Sequence, residues 1–279
     1  MINTWWKKIC LGTVLVFAAI GLFLTAGFVA LKFGLTNTAG IFDNNLANLQ
    51  SLNSQDRALY PANTKFSWNQ GPEWETLETA IIEDALLIRQ VSTTVDINPR
   101  LLVAPLVVEQ LRLFHTEREV FKQFFGPLKI LGNQTQFSWG VLGMKEKTAK
   151  QVEENLKNRN SPAYLGARYE NILDFTTPDP DSERFNRLTH EDDRYYAYLY
   201  GALYIKQLMQ QWKVAGFDIA DKPEIVATLF NIGFDNSKPK ASPAPGGAEI
   251  EINGQKSSFG GLAYEFYYSS ELNEYFPIK

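Results

Sequence analysis

The sequence predicts a mainly α-helical exported domain with one small β-hairpin, preceded by one N-terminal transmembrane helix. Three observations predict it. Through most of residues 71–279, apolar residues recur at three- and four-residue spacing, the mark of helices with one buried face. A single alternating stretch, Ala248-Glu-Ile-Glu-Ile252, runs into Asn253-Gly254, a strong hairpin signal. An uncharged apolar run lies close to the N-terminus. The 279 residues suffice for one large domain or two small ones, and 45% hydrophobic and 13% aromatic residues supply a substantial core.

From Ile9 to Leu31 no residue is charged. At roughly 1.5 Å per residue this run reaches about 34 Å, enough to cross a bilayer with some tilt. Lys7 and Lys8 precede it, and Trp5 and Trp6 stand where an interfacial belt belongs. Residues 1–8 are therefore expected in the cytoplasm, 9–33 as the span, and the rest on the periplasmic or cell-wall side. The run exceeds a usual signal-peptide core, which favours an uncleaved anchor. Cys10 lies at its start, not after it, which argues against a lipoprotein. Residues 34–70, rich in Asn, Ser, Thr and Gln, read as a stalk with a short helix near 42–49.

The domain proper is expected at 71–279. Pro72 opens one long amphipathic helix over 73–91, with Leu77, Ala80, Ile81, Ala85 and Ile88 on its apolar face. Asn98-Pro99 starts a helix that runs to 114. Glycines at 140 and 143 lead into a helix over 145–156, and a helix with a Tyr/Leu/Ile face covers 192–212. Pro223 begins a short helix over 224–230, and Gly233 is a natural terminator. After the hairpin, an aromatic helix over 259–268 follows. No internal repeat is present.

Composition excludes several classes of function. A net charge of -4 argues against nucleic-acid binding. One cysteine rules out an intramolecular disulfide framework and a cysteine-rich metal site, and having only two histidines, His115 and His190, argues against a multi-histidine zinc site. No metal or cofactor is expected.

Glu109 stands out chemically. Leu102, Leu106, Glu109 and Leu113 fall on one helical stripe, which puts a carboxyl group among buried neighbours. Such a group costs several kcal/mol unless it is paired or keeps its proton. Pairing has a candidate in Arg112, three residues on; a retained proton is what a general acid needs. Two further segments have ligand-binding chemistry beside a bland reading. Gly140 and Gly143 permit a close backbone approach or merely a turn. Asn231 at a helix end is a cap or a hydrogen-bonding group for a polar ligand.

Taken together, these segments resemble the lysozyme-like lytic transglycosylase family, the soluble lytic transglycosylases and their goose-type lysozyme relatives. Val95-Asp-Ile-Asn-Pro-Arg-Leu-Leu-Val-Ala-Pro-Leu-Val-Val-Glu109 is similar to the helix that delivers the catalytic Glu. Ser138-Trp-Gly-Val-Leu-Gly-Met-Lys-Glu-Lys-Thr-Ala149 resembles the Gly-rich turn before a Thr-Ala helix. Tyr200-Gly-Ala-Leu-Tyr-Ile-Lys-Gln-Leu208 and Ala227-Thr-Leu-Phe-Asn-Ile-Gly233 resemble the next two segments, and Tyr264 sits where a substrate-side tyrosine is often found. The resemblance covers about residues 73–268. Two positions depart from it: Gln110 stands where the family usually has Ser, and Gly143 where Gln is common.

The resemblance implies a lysozyme-like domain that cleaves the β-1,4 bond between N-acetylmuramic acid and N-acetylglucosamine, leaving a 1,6-anhydro end. Glu109 would be the single acid and base, with Ser138, Trp139, Gly140, Asn231 and Tyr264 on the substrate side. The partners implied are peptidoglycan strands and the membrane. A muramidase-type hydrolase would need a second carboxylate, for which Glu117, Glu119 and Asp174 are candidates. A catalytically silent glycan-binding or scaffold domain of an envelope complex is the alternative from another class. Of the rings able to stack on sugars, Trp139, Tyr164, Tyr195, Tyr200, Tyr264 and Tyr267, most are expected in the core and two or three along a groove.

Overall fold

A computed structural model describes residues 8, 11–22, 25–26, 41–42, 59–115, 138–190 and 192–278. The described chain is mainly helical. In order it contains β1 (Ile41–Phe42), α1 (Pro72–Glu83), α2 (Ala85–Val95), α3 (Pro99–His115), β2 (Ser138–Trp139), β3 (Met144–Lys145), α4 (Glu146–Lys157), α5 (Pro180–Thr189), α6 (Tyr195–Val214), α7 (Pro223–Ile232), β4 (Gly246–Gly247), β5 (Glu249–Ile252), β6 (Gln255–Ser258) and α8 (Phe259–Tyr268). Residues 11–22 are helical as well. Among the described residues no helix is long and apolar enough to cross a membrane. The expected span over 9–33 lies only partly within them, and the expected helix near 42–49 lies almost wholly outside.

Two helices form the centre. On α3 every residue from Arg100 to Glu109 is buried, and on α6 every residue from Ala197 to Ile205 is. A helix buried all round needs neighbours on all sides. For α3 these are α1, α2, α6, α7, α8 and β5. The strands are short and pair antiparallel, β1 with β4, β2 with β3, and β5 with β6. The β5–β6 hairpin turns on Asn253 and Gly254, both with positive φ (52° and 78°), the backbone that a two-residue turn requires.

Three expectations about the elements need correction. The single helix over 73–91 is two helices that meet at Asp84, whose backbone (φ -86°, ψ 2°) leaves the helical geometry. Its carboxylate accepts hydrogen bonds from Arg194 (2.7 Å) and Tyr198 (2.6 Å), so an anchor on α6 marks the break. The stalk is in part integral to the domain. Trp68 is buried with its indole N–H donating to Glu265 (3.0 Å), the Tyr60 amide donates to the Tyr268 carbonyl (3.0 Å), and Ile41 and Phe42 pair with Gly247 and Gly246. Finally, α5 was not expected. Its buried face includes Arg184 and Arg187, side chains that periodicity counts as polar. Arg184 is buried because Glu153 takes its guanidinium at two 2.6 Å contacts.

Candidate active site around Glu109

Glu109 is 3% exposed near the C-terminal end of α3, as the apolar stripe requires. Pairing is the route the fold takes to place it there. Arg112 reaches back one helical turn, with Nε donating to Oε2 at 3.1 Å and Nη2 to Oε1 at 2.5 Å. A two-point guanidinium contact supplies charge and fixed orientation together, which offsets the desolvation of a buried carboxylate. The side chains are 15% exposed for Arg112 and 4% for Glu109.

The Gly-rich segment lies against the same carboxyl. Gly140 to Gly143 form the turn between β2 and β3, closed by the Gly143 amide donating to the Gly140 carbonyl (3.1 Å). At φ +56°, Gly143 adopts a conformation that side chains disfavour, and a Cβ there would stand 2.2 Å from Glu109 Oε1. The Glu109 carboxyl therefore fills the space into which any side chain at 143 would project. Gln110 fastens the arrangement by donating from Nε2 to the Val141 carbonyl at 2.5 Å. Leu142, at the tip of the turn, presses on α6 at Gly201, where a Cβ would come within 2.2 Å of its Cδ1. Residues from three of the four segments singled out in the sequence, at 109–110, 140–143 and 201, thus meet in one place.

The remaining candidates have other partners. Gly140 (φ +66°) packs against the Leu188 carbonyl of α5. The backbone of Ser138 and Trp139 forms β2, opposite Lys145 and Met144; their side chains lie outside the described residues. Asn231 does not cap α7. Its Oδ1 accepts from the Ala248 amide (2.9 Å) and so ties the end of α7 to the entry of the β5–β6 hairpin. Tyr264 is 5% exposed, with its ring against Tyr60 and Tyr268 at 6.4 and 4.7 Å, so it is a core ring and not a groove ring.

Of the other rings able to stack on sugars, Tyr200 and Tyr267 are internal. Tyr200 is fully buried with its hydroxyl donating to Glu153 (2.6 Å); burial, then the Glu153 charge, push that phenol well above its ordinary range. Burial, then Tyr268, push Tyr267 up to about 12. Tyr164 and Tyr195 are half-buried and keep part of their surface open. Of the candidate second carboxylates, Asp174 is paired with Lys157 at the surface, and Glu117 and Glu119 lie outside the described residues. Among the described residues no group of three or more His, Cys, Asp or Glu is arranged to hold a metal ion.

The sequence did not single out Val141 or Leu142, whose contacts position the turn. It signalled Arg112 by spacing alone. In comparisons with protein-family models, curated proteins and solved structures, nothing matches this chain.

Proposed function

We propose that this chain is a membrane-anchored peptidoglycan lytic transglycosylase with a lysozyme-like domain, in which Glu109 is the single acid and base. The observation that carries the reading is the contact between the buried Glu109 carboxyl and the Gly143 turn, fastened by Gln110. It joins, in space, two segments that the sequence resemblance joins only in order. Glu109 would donate its proton to the glycosidic oxygen as the C1–O bond breaks. The same carboxylate would then take the proton from the C6 hydroxyl as that oxygen bonds to C1, closing the 1,6-anhydro ring. Glu109 ends as it began, and no water or second carboxylate takes part.

The anchor belongs to the same proposal. In the helical residues 11–22, Leu11, Val14, Leu15, Val16, Phe17, Ile20 and Leu22 are all exposed, an apolar surface suited to lipid. A domain held on the outer face of that membrane works at a raised effective concentration near the wall.

One observation favours a second reading, a silent glycan-binding or scaffold domain: Arg112 occupies both oxygens of the carboxyl that would have to react. The test is to incubate the full-length chain, in detergent, with peptidoglycan sacculi and to analyse the products by mass spectrometry. Anhydro-muropeptides from the wild type and none from E109Q support the lytic reading. Reducing-end products point to hydrolysis, and retained binding without any product points to the scaffold.

A further inference from the structure

We propose that Gly201 of α6 is a positioning residue for Glu109: it leaves a socket for Leu142, and that knob holds the Gly143 backbone against the carboxyl. The inference deepens the reading of Glu109 as an acid and rests on it. The turn from Gly140 to Gly143 joins two strands of two residues each, and so short a pairing has little stability of its own. Of the four turn residues only Leu142 is buried, at 2% exposure. The apolar grip of the turn on the domain therefore falls to Leu142. This residue directly precedes Gly143, with Cα atoms about 3.8 Å apart, so a displaced Leu142 carries the wall of the carboxyl with it.

The socket is built for the knob. Gly201 lies inside α6, in a run where every residue from Ala197 to Ile205 is buried. Glycine is unfavourable in a helix interior compared with alanine. The backbone of Gly201 is ordinary helix, without the positive φ that calls for glycine. What calls for it is space: a Cβ there would overlap Leu142 Cδ1 and stand 3.3 Å from Leu102 Cδ1. Leu102 belongs to the stripe of α3 that also carries Glu109. The knob thus seats between the helix of the acid and the helix of the glycine. A methyl group forced into such a packed site moves its neighbours, and a reacting group misplaced by about 1 Å can lose about a hundredfold in rate. Gly201 acts through Leu142 and Gly143 on Glu109 and takes no part in the bond changes.

The full-length chain in detergent micelles, carrying 13C-labelled glutamate, reports on the wall without turnover. The Glu109 carboxyl resonance is assigned by its loss in E109Q. G201A, which drives a methyl into the socket, is expected to move that resonance. In an L142A background, where the knob is gone, the same substitution is expected to move it far less. I219A, a core truncation beyond the end of α6, should leave it in place. A resonance that stays put in G201A, that G201A moves equally with and without Leu142, or that I219A moves as much, overturns the proposal. If G201A does not fold, L142V takes its place: the shortened knob is expected to move the resonance, and an unmoved one overturns the proposal.

Turnover gives the second arm. On soluble, uncrosslinked peptidoglycan strands, G201A is expected to release anhydro-muropeptides with kcat lowered about tenfold or more and KM unchanged. In the L142A background the same substitution should cost little further. A loss confined to KM places Gly201 in glycan binding and overturns the positioning role. A loss of kcat equal with and without Leu142 makes the glycine merely structural and overturns it as well. If the wild type cuts nothing, the lytic reading fails and the resonance arm alone decides the role of Gly201.

Discussion

The two ends of α3 bury opposite charges in different ways. Near the N-terminal end, Arg100 is fully buried and, among the described residues, has no carboxylate partner in contact. Its guanidinium donates to four backbone carbonyls, those of Phe266, Tyr267, Ser269 and Phe276, at 2.7 to 2.9 Å, and stacks on the Phe266 ring at 4.8 Å. Burial pulls it down to about 10, while Tyr267 and Glu271 act in the opposite direction. Near the C-terminal end, Glu109 is held by a side chain that is one turn away and partly open. Backbone carbonyls at the end of α8 and in the segment after it stay in place unless the fold itself opens, so Arg100 is architecture. The compensation of Glu109 comes from one neighbouring side chain, which a single substitution removes while the backbone stays. A charge solvated by main chain belongs to the architecture; one solvated by a side chain can be altered residue by residue.

Breaking the fixed end should cost most. Arg100→Met removes the shared donor of four carbonyls and is expected to lower stability by about 4 kcal/mol in urea unfolding. Gly143→Ala combines a disfavoured backbone with an overlap on Glu109, and about 3 kcal/mol is expected, together with loss of any glycan cleavage. Arg112→Gln should cost less than Arg100→Met, about 2 kcal/mol, because its site is partly open to water. A ranking in which Arg112 outweighs Arg100 would undo the contrast between main-chain and side-chain compensation.

The smallest effect sharpens the contrast from a third position. Burial raises Glu183, but hydrogen bonds from Thr177 and the Thr176 amide, with the Arg187 charge, overcome it and hold this carboxyl near about 2 against an ordinary 4.5. A depressed carboxylate stabilises the fold above its unfolded value, and that contribution is lost as pH falls through the folded one. The Tm of the wild type should therefore exceed that of E183Q at pH 6, and the gap should close between about pH 4.5 and 2. A gap independent of pH would mean that the amide clamp on Glu183 does not distinguish its charged form.

Much of this was legible in the chain, and the exceptions share a cause. Helices α3, α4, α6, α7 and α8 follow apolar spacing, and Asn253-Gly254 announces the hairpin, because burial and turn geometry are local. The break at Asp84 was illegible: Ile81, Ala85 and Ile88 keep their spacing through it, and the groups that hold it, Arg194 and Tyr198, lie at the start of α6, more than a hundred residues on. The helix α5 was missed because two of its three buried residues are arginines, Arg184 paired with Glu153 of α4 and Arg187 with Glu183 one turn back. At the candidate site, the Glu109–Arg112 spacing is in the sequence. The fit of that carboxyl over Gly143, across an intervening segment, is not.

If residues 11–22 belong to the proposed anchor, the pairing of Ile41 and Phe42 with Gly247 and Gly246 bounds the reach of the domain. From Ala26, still helical, to Ile41 the chain extends at most about 53 Å at 3.5 Å per residue. Measured instead to Leu59, the next described residue, the same upper limit is about 115 Å. A contact of two residues thus divides a short reach from one more than twice as long.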